Sequence, residues 1–135
     1  MTQIPYGKNI IIKEESFENF KEESVNRMEK AINGEEVDVI LSFDKPQEIR
    51  KLLTEKRLEL INTVMNEKPE SITQLAEKLD RDRKEVHQDL KLLEKNKIIF
   101  FKKQGRKKKP VMPYKDIKVD YSITKALENQ ETAKA

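Results

Sequence analysis

The sequence has no cysteine, a single histidine and only three glycines. Without cysteine the chain can form neither disulfides nor thiolate metal sites, and one histidine cannot build a histidine-based metal cluster. The glycines form neither a GxGxxG motif nor a phosphate-binding loop, which excludes nucleotide sites of those two kinds. We therefore predict no metal site, no cofactor and no catalytic residue, and we expect that the protein is not an enzyme.

Long hydrophobic runs are missing as well. No segment approaches the roughly 18 apolar residues that a membrane-spanning helix needs, and the N-terminus lacks the basic and apolar regions of a signal peptide. These two absences predict a cytoplasmic protein. Hydrophobic residues make up 36% of the chain and charged residues 39%, which predicts a thin core, so a homodimer would help to bury apolar area.

Positive charge is concentrated in one part of the chain. Residues 81–109 contain 12 basic and 4 acidic residues, a net charge of +8, although the whole chain carries only +3. Residues 1–45 contain 6 basic and 10 acidic residues, a net charge of −4. Clustered positive charge attracts polyanions, but a lysine-rich segment alone is more often a solvated surface. The structural elements that carry the charge decide between these interpretations.

The N-terminal third predicts a strand, a helix and a second strand. Residues 9–13 and 37–43 are rich in β-branched side chains, and residues 15–33 between them show helical spacing. The stripe that follows this spacing is expected to form a core or a dimer contact. It consists of Phe17, Phe20, Ser24, Met28 and Ile32.

The middle of the chain predicts three helices. Residues 47–67 show one long amphipathic pattern, which the proline at position 69 ends. Ser71-Ile-Thr-Gln74 opens a second, short helix with a capping box, and Asp82-Arg-Lys-Glu85 opens a third after a tight turn. The predicted inward residues are Ile72, Leu75, Ala76 and Leu79 in the second helix and Val86, Leu90 and Leu93 in the third.

A hairpin and a polar tail are predicted after the helices. Residues 98–103 have β composition, Gly105 marks a turn, and residues 111–123 alternate at Ile117, Val119 and Tyr121. We predict that these two runs pair with each other and that the hairpin tip between them carries the basic residues. The polar residues from Lys125 onward predict a frayed helix or a disordered tail.

Three helices followed by a basic hairpin are typical of a winged helix-turn-helix DNA-binding domain. The third helix would enter the major groove, and the hairpin would contact phosphates or the minor groove. The predicted DNA contacts are Arg81, Arg83, Lys84, His87, Gln88 and Lys91 in the recognition helix, Ser71 and Thr73 at the cap of the preceding helix, and Lys102, Lys103, Arg106, Lys107, Lys108 and Lys109 in the wing.

Two residues of the third helix leave alternatives open. Asp89 lies on its polar side and would repel phosphate unless it pairs with an arginine or a lysine. His87 fits a DNA contact and a residue packed beside the wing about equally well. Winged helices also serve as protein-interaction modules, and the basic wing is the feature that favours DNA.

The segment from Leu53 to Val119 resembles a family of small MarR-like transcriptional regulators. The matching residues are Leu53-Thr54, Ser71-Ile72, Arg81-Asp82, Val86-His87, Asp89, Leu93-Glu94 and Pro113-Tyr114. One position departs from the family pattern. Lys97 stands where a glycine usually precedes the wing, so Asn96 or Lys97 must adopt that turn.

Together with these patterns, the resemblance implies an α+β, mainly helical fold. A winged helix-turn-helix domain would span residues 46–123, after an acidic strand-helix-strand extension over residues 1–45 and before a flexible tail over residues 124–135. The resemblance implies a homodimeric regulator that binds double-stranded DNA, acting as an autoregulating repressor. The alternative is a DNA-binding antitoxin that neutralises a small toxin-like protein encoded beside it, with the extension as the contact for that partner.

Overall fold

The computed structural model describes residues 4–120, and over this range the protein has an α+β fold, as predicted. The chain forms two compact units. Within the described residues, the sheet unit consists of Gly7–Lys51 and residues 114–120, and the helix unit consists of Leu52–Pro113 and residues 4–6. The predicted tail, residues 124–135, lies outside the described residues.

The sheet unit is built on three parallel strands in the order β2-β1-β5. These strands are β1 (Ile10–Glu14), β2 (Val39–Phe43) and β5 (Ile117–Asp120). In the central strand, Ile12 lies opposite Leu41 on one side and Val119 on the other. Ile10 and Ile12 are fully buried whereas Ile11 between them is partly exposed, which is the period-two alternation of a strand with one covered face.

Helix α1 (Phe17–Ile32) connects β1 to β2, and the short helix α2 (Pro46–Leu52) follows β2. Helix α1 buries none of its residues. In its predicted apolar stripe, Phe17 is 66% exposed, Met28 67% and Ile32 78%. The prediction that this stripe could belong to the core of the chain was therefore wrong. Helical spacing places residues on one face but does not determine what covers that face.

Three helices make up most of the helix unit. They are α3 (Glu55–Glu67), α4 (Ile72–Leu79) and α5 (Arg83–Lys95). The prediction of one helix over residues 47–67 was wrong, because α2 ends at Leu52 and α3 begins at Glu55. Thr54 causes the break, since its backbone is extended and its hydroxyl accepts the N–H of Arg57 at 3.3 Å as an N-cap.

An antiparallel hairpin completes the helix unit, formed by β3 (Phe100–Gln104) and β4 (Lys107–Val111). The predicted pairing of residues 98–103 with residues 111–123 was wrong. The basic run itself forms most of the return strand, and Ile117 and Val119 belong to β5, which runs parallel to β1. Alternating hydrophobicity identifies a strand but carries no information about its partner.

The interior of the helix unit follows the predicted stripes. Helix α4 packs against both α3 and α5, and β4 contacts α3 and α4. The predicted inward residues of α5 are fully buried, and those of α4 are buried apart from Leu79, which is half-buried. Ile98 and Ile99, between α5 and β3, are fully buried as well.

Lys97 makes the turn between α5 and β3. Its φ is 61°, in the left-handed region, whereas the φ of Asn96 is −92°. From the sequence, either residue could adopt the turn, and Lys97 is the one that does.

Residues 4–120 contain no helix that combines the length and the apolar character needed to cross a membrane. In the same range no three His, Asp or Glu side chains cluster so that they could hold a metal ion.

Candidate nucleic-acid interface

The start of helix α4 is fixed by two reciprocal hydrogen bonds. Ser71 Oγ accepts the N–H of Gln74 at 3.1 Å, and Gln74 Oε1 accepts the N–H of Glu70 at 2.6 Å. The first turn of an α-helix carries N–H groups without intrahelical acceptors and the positive end of the helix dipole. Ser71 and Thr73, both predicted DNA contacts, lie at this end, which suits an anion.

Helix α5 begins just after a tight turn. Asp80 adopts a left-handed conformation with a φ of 52°, and Asp82 Oδ2 caps α5 by accepting the N–H of Glu85 at 3.3 Å. Because the apolar stripe of α5 is buried, its opposite face is turned outward. The predicted contacts on that outer face are Arg83, Lys84, Gln88 and Lys91, which are exposed, and His87, which is half-buried.

One cleft of about 560 Å³ brings together residues from α4, α5 and the hairpin turn. Each contributes donors or positive charge, so the cleft suits an anionic ligand. Every lining residue except Ile72 is a predicted DNA contact. The cleft is lined by Ser71, Ile72, Thr73, Arg83, His87, Arg106, Lys107 and Lys108.

Arg83 is oriented within this cleft by a neighbouring side chain. Its Nε donates a hydrogen bond to Thr73 Oγ1 at 3.0 Å. A guanidinium has five N–H donors in a planar fork, so a bond through Nε fixes the plane of the group. The terminal nitrogens can then form a bidentate contact with a phosphate or with the edge of a guanine.

The hairpin places lysines directly opposite one another. Lys102 lies opposite Lys109, and Lys103 lies opposite Lys108. Like charges at directly opposed positions destabilise a sheet. Within residues 4–120, Lys109 is the one of these four lysines that forms an ion pair, with Glu70 at 3.3 Å. An anion bound at the hairpin would relieve this repulsion.

Arg81, also predicted as a DNA contact, faces two carboxylates. Its Nη2 lies 2.6 Å from Asp89 Oδ2 and 2.6 Å from Glu85 Oε1, and its side chain is only 12% exposed. Burial alone would lower the pKa of Arg81, but the hydrogen bonds and charges of Asp89 and Glu85 outweigh burial and raise it. Arg81 therefore binds helix α5 in this structure instead of pointing into solvent.

Asp89 has a basic partner on each side. Its Oδ1 accepts a hydrogen bond from Arg57 Nε at 3.1 Å, and its Oδ2 accepts one from Arg81. Nearby, a hydrogen bond from Arg81, followed by the charges of Arg81 and Lys56, lowers the pKa of Glu85. The acidic residues on this side of α5 are thus neutralised by protein groups. Arg57 was not predicted from the sequence, because it lies on α3, 32 positions before Asp89, and no local pattern links the two.

The remaining predicted contacts lie outside the cleft. Lys84, Gln88 and Lys91 occupy the exposed face of α5. Lys102 and Lys109 line a separate groove of about 320 Å³, and Lys103 lines another beside the start of β3.

A sequence model of the HVO_A0114 family matches residues 52–119, half of the chain. The chain belongs to the HVO_A0114 family. The HVO_A0114 segment contains α3, α4, α5, the hairpin and every residue that lines the cleft, and it ends within β5. It does not include β1, α1 or β2. No curated protein and no solved structure matched the chain.

Proposed function

We propose that the protein is a sequence-specific DNA-binding transcriptional regulator. In this proposal α4 and α5 act as a helix-turn-helix, with α5 as the recognition helix, and the β3–β4 hairpin acts as a wing. The observation that carries the proposal is the cleft, where the start of α4, the outer face of α5 and the hairpin turn offer hydroxyl groups and positive charge to one anionic ligand.

The exposed face of α5 has the side chains that read DNA bases. Lysine and arginine bind the O6 and N7 acceptors of guanine, and glutamine binds adenine, all in the major groove. Lys84, Gln88 and Lys91 are exposed on this face and Arg83 is held beside it. The hairpin side of the cleft, at Arg106, Lys107 and Lys108, would take a backbone phosphate, which sets the register of the helix but carries no sequence information.

Charge neutralisation on α5 also supports the proposal. Asp89 is paired with Arg57 and Arg81, and Glu85 is paired with Arg81 and Lys56. These carboxylates therefore do not oppose a polyanion as free carboxylates would. The exposed charges of the outer face and the wing are then mainly positive.

Fluorescence anisotropy tests the proposal directly. The full chain is titrated against a labelled duplex from directly upstream of its own gene and against a scrambled duplex, each at two salt concentrations. We expect tighter binding to the upstream duplex and weaker binding at the higher salt concentration, because phosphate contacts release counterions. Equally weak binding to both duplexes would contradict sequence-specific recognition.

Two variants then separate base reading from phosphate contact. We expect Arg83→Ala to weaken binding to the upstream duplex about ten-fold or more. Lys108→Ala should weaken binding to both duplexes alike and reduce the salt slope by about 1. Arg50→Ala, in α2 and outside the HVO_A0114 segment, is the matched control. If Arg83→Ala behaves like this control, the assignment of α5 as the recognition helix is wrong.

A further inference from the structure

The groove of about 320 Å³ that Lys102 and Lys109 line, the hairpin groove, has an apolar lining as well as positive charge. It lies between the end of α3 and the β3–β4 hairpin, and all of its lining residues belong to the helix unit. A volume of this size and a mainly apolar lining with a few polar groups are typical of a small-molecule site. The apolar lining consists of Val64, Met65, Pro110, Val111, Met112 and Pro113.

Three lysines give the hairpin groove its charge. Lys68 ends α3, and Lys102 and Lys109 lie directly opposite one another in the hairpin, so their side chains share one face of it. Within residues 4–120, Lys109 is paired with Glu70 at 3.3 Å, whereas Lys68 and Lys102 form no ion pair. None of the described residues that line the groove is acidic. The charge of the groove therefore fits an anionic group placed beside Lys102 and Lys109.

The apolar lining favours an aliphatic body for that anion. It is made of branched aliphatic, thioether and proline side chains, and the aromatic ring that joins them, Tyr6, is 58% exposed. Methionine side chains are unbranched and flexible, so Met65 and Met112 can adapt to a flexible chain. A phosphate of the DNA backbone would use the lysines but has no apolar part to place against these residues. The lining thus distinguishes the hairpin groove from a site for a phosphate alone.

We infer that the hairpin groove binds a small carboxylate with an aliphatic chain. The carboxylate lies between Lys102 and Lys109, where it forms charge-assisted hydrogen bonds and relieves the repulsion between the two lysines. The chain packs against Val64, Met65 and Met112, and the removal of apolar surface from water supplies the rest of the affinity. Because Lys109 is shared with Glu70, Lys102 is the main contact of the carboxylate.

The exposure of the lining residues sets the strength of this binding. Val64 and Met112 are buried, but Met65 is 38% exposed and Lys102 is exposed. A bound chain therefore stays partly hydrated, and a contact between a carboxylate and an exposed lysine contributes little. For octanoate we expect a dissociation constant of about 1 mM, which rises as salt screens the lysines.

The inference does not depend on DNA binding, because octanoate binding is measured without a duplex. A chain that takes octanoate into the hairpin groove but does not recognise the upstream duplex would overturn only the proposed function. A chain that recognises the duplex but does not take octanoate into the groove would overturn only this inference.

NMR of the methionine methyl groups in the full chain locates the ligand. Met65 and Met112 line the hairpin groove, whereas Met28 is 67% exposed on α1 and lies outside it. With labelled methyl groups, assigned by replacing each methionine with leucine, octanoate should shift Met65 and Met112 to saturation and leave Met28 nearly unchanged. Equal shifts of all three methyl groups without saturation would show nonspecific binding to exposed apolar side chains and overturn the inference.

Two related probes separate the roles of chain and charge in the same measurement. Acetate has the carboxylate without the chain, and octylamine has the chain with the opposite charge. Both should shift Met65 and Met112 far less than octanoate at the same concentration. If acetate shifts them as strongly, the apolar lining recognises nothing, and if octylamine does, the lysines do not select the ligand. Either result overturns the inference.

Lys102→Gln tests the main contact of the carboxylate. It should weaken octanoate binding about two- to five-fold, the effect of one exposed charge contact. Lys103→Gln is the matched control, since it removes the same charge from the next residue, which is equally classed as exposed, lies opposite Lys108 and does not line the hairpin groove. This control should bind octanoate like the wild type. Equal weakening by both substitutions would mean that the general charge of the hairpin attracts octanoate, which would overturn the inference.

Discussion

At the scale of single residues, the effect of each carboxylate on the protein is determined by the side chains that contact it. Asp89 lies on the recognition helix of the proposed function, where a free negative charge would oppose DNA. Its side chain is 13% exposed and lies between the guanidinium groups of Arg57 and Arg81. The same contact joins α3, the turn before α5 and α5 itself, so Asp89 also holds the helix in place.

We predict that Asp89→Asn destabilises the protein by about 2–3 kcal/mol, because it leaves two arginines with a neutral partner in a mostly buried site. Urea denaturation followed by circular dichroism measures this change. Glu85→Gln is the matched control, since Glu85 contacts the same arginine from a position that is 47% exposed, and its loss should be much smaller. Equal effects of the two substitutions would show that the position of Asp89 between two arginines is unimportant.

Glu15, directly after β1, is a buried carboxylate. Its oxygens accept hydrogen bonds from Ser42 Oγ at 2.9 Å and Asn19 Nδ2 at 2.8 Å, and Lys13 Nζ lies 2.9 Å away. Burial alone would raise the pKa of Glu15, but the hydrogen bonds from Lys13 and Ser42, together with the charges of Lys13 and Arg27, outweigh burial and lower it. Glu15 is therefore charged in the folded protein at neutral pH.

This pKa direction predicts a pH dependence of stability. A carboxylate with a lowered folded pKa contributes stability above its unfolded pKa, and that contribution is lost as the pH falls through the folded pKa. The free energy of unfolding of the wild type should therefore fall as the pH drops below 4.5, the ordinary pKa of a glutamate, whereas in Glu15→Gln this part of the fall should be absent. Urea denaturation at each pH measures both. Glu29→Gln, an exposed change on α1, should follow the wild type, and an identical pH profile for Glu15→Gln would contradict the prediction.

At the scale of helices and strands, the features that could be predicted from the sequence are those that local interactions determine. The starts of α4 and α5 were predicted from capping residues three positions apart, which bond within one turn whatever the rest of the chain does. The break at Thr54 was missed because apolar residues continue on both sides of it, at Leu52 and at Leu60, so the amphipathic pattern hides the cap. The partner of β5 was missed because strand pairing is decided by distant residues.

The left-handed backbone conformation of Lys97 costs free energy, and this cost can be measured. A lysine with a φ of 61° meets the steric penalty that glycine avoids. We predict that Lys97→Gly stabilises the protein by about 0.5–1 kcal/mol, the relief of strain being partly offset by the greater freedom of glycine in the unfolded chain. The midpoint of urea denaturation measures the gain. Lys97→Ala keeps a Cβ and should give none, so stabilisation by alanine as well would assign the effect to the lost charge.

At the scale of the whole molecule, the sequence predicted the members of the cleft but not the contacts that hold them. The amphipathic patterns of α4 and α5 turn Thr73, Arg83 and His87 outward, and each could be recognised within its own helix. The hydrogen bond between Arg83 and Thr73 joins two helices, and the pairing of Asp89 with Arg57 joins residues far apart in sequence. Such contacts depend on how helices pack, which no periodicity encodes.

The division into two units predicts that either unit can unfold locally while the other stays folded. Ile12 is fully buried in the central strand of the sheet unit, and Leu90 is fully buried in the helix unit. Replacing either by alanine should cost about 2–5 kcal/mol. In amide hydrogen exchange we expect Ile12→Ala to reduce protection mainly in β1, β2 and β5, and Leu90→Ala to reduce it mainly in α3, α4 and α5. A uniform loss of protection in both variants would show that the chain unfolds as one cooperative unit.

The position of β5 affects the order in which the protein can fold during synthesis. Strand β1 precedes Leu52–Pro113 of the helix unit in the sequence, yet its pairing with β5 must wait until that whole segment has been synthesised. The helix unit, whose packed elements follow one another in sequence, can assemble first, because it needs mainly local contacts. Until then β1 keeps one edge open to other chains. The sheet unit is thus begun first and completed last, and the nascent protein is most exposed to mispairing in between.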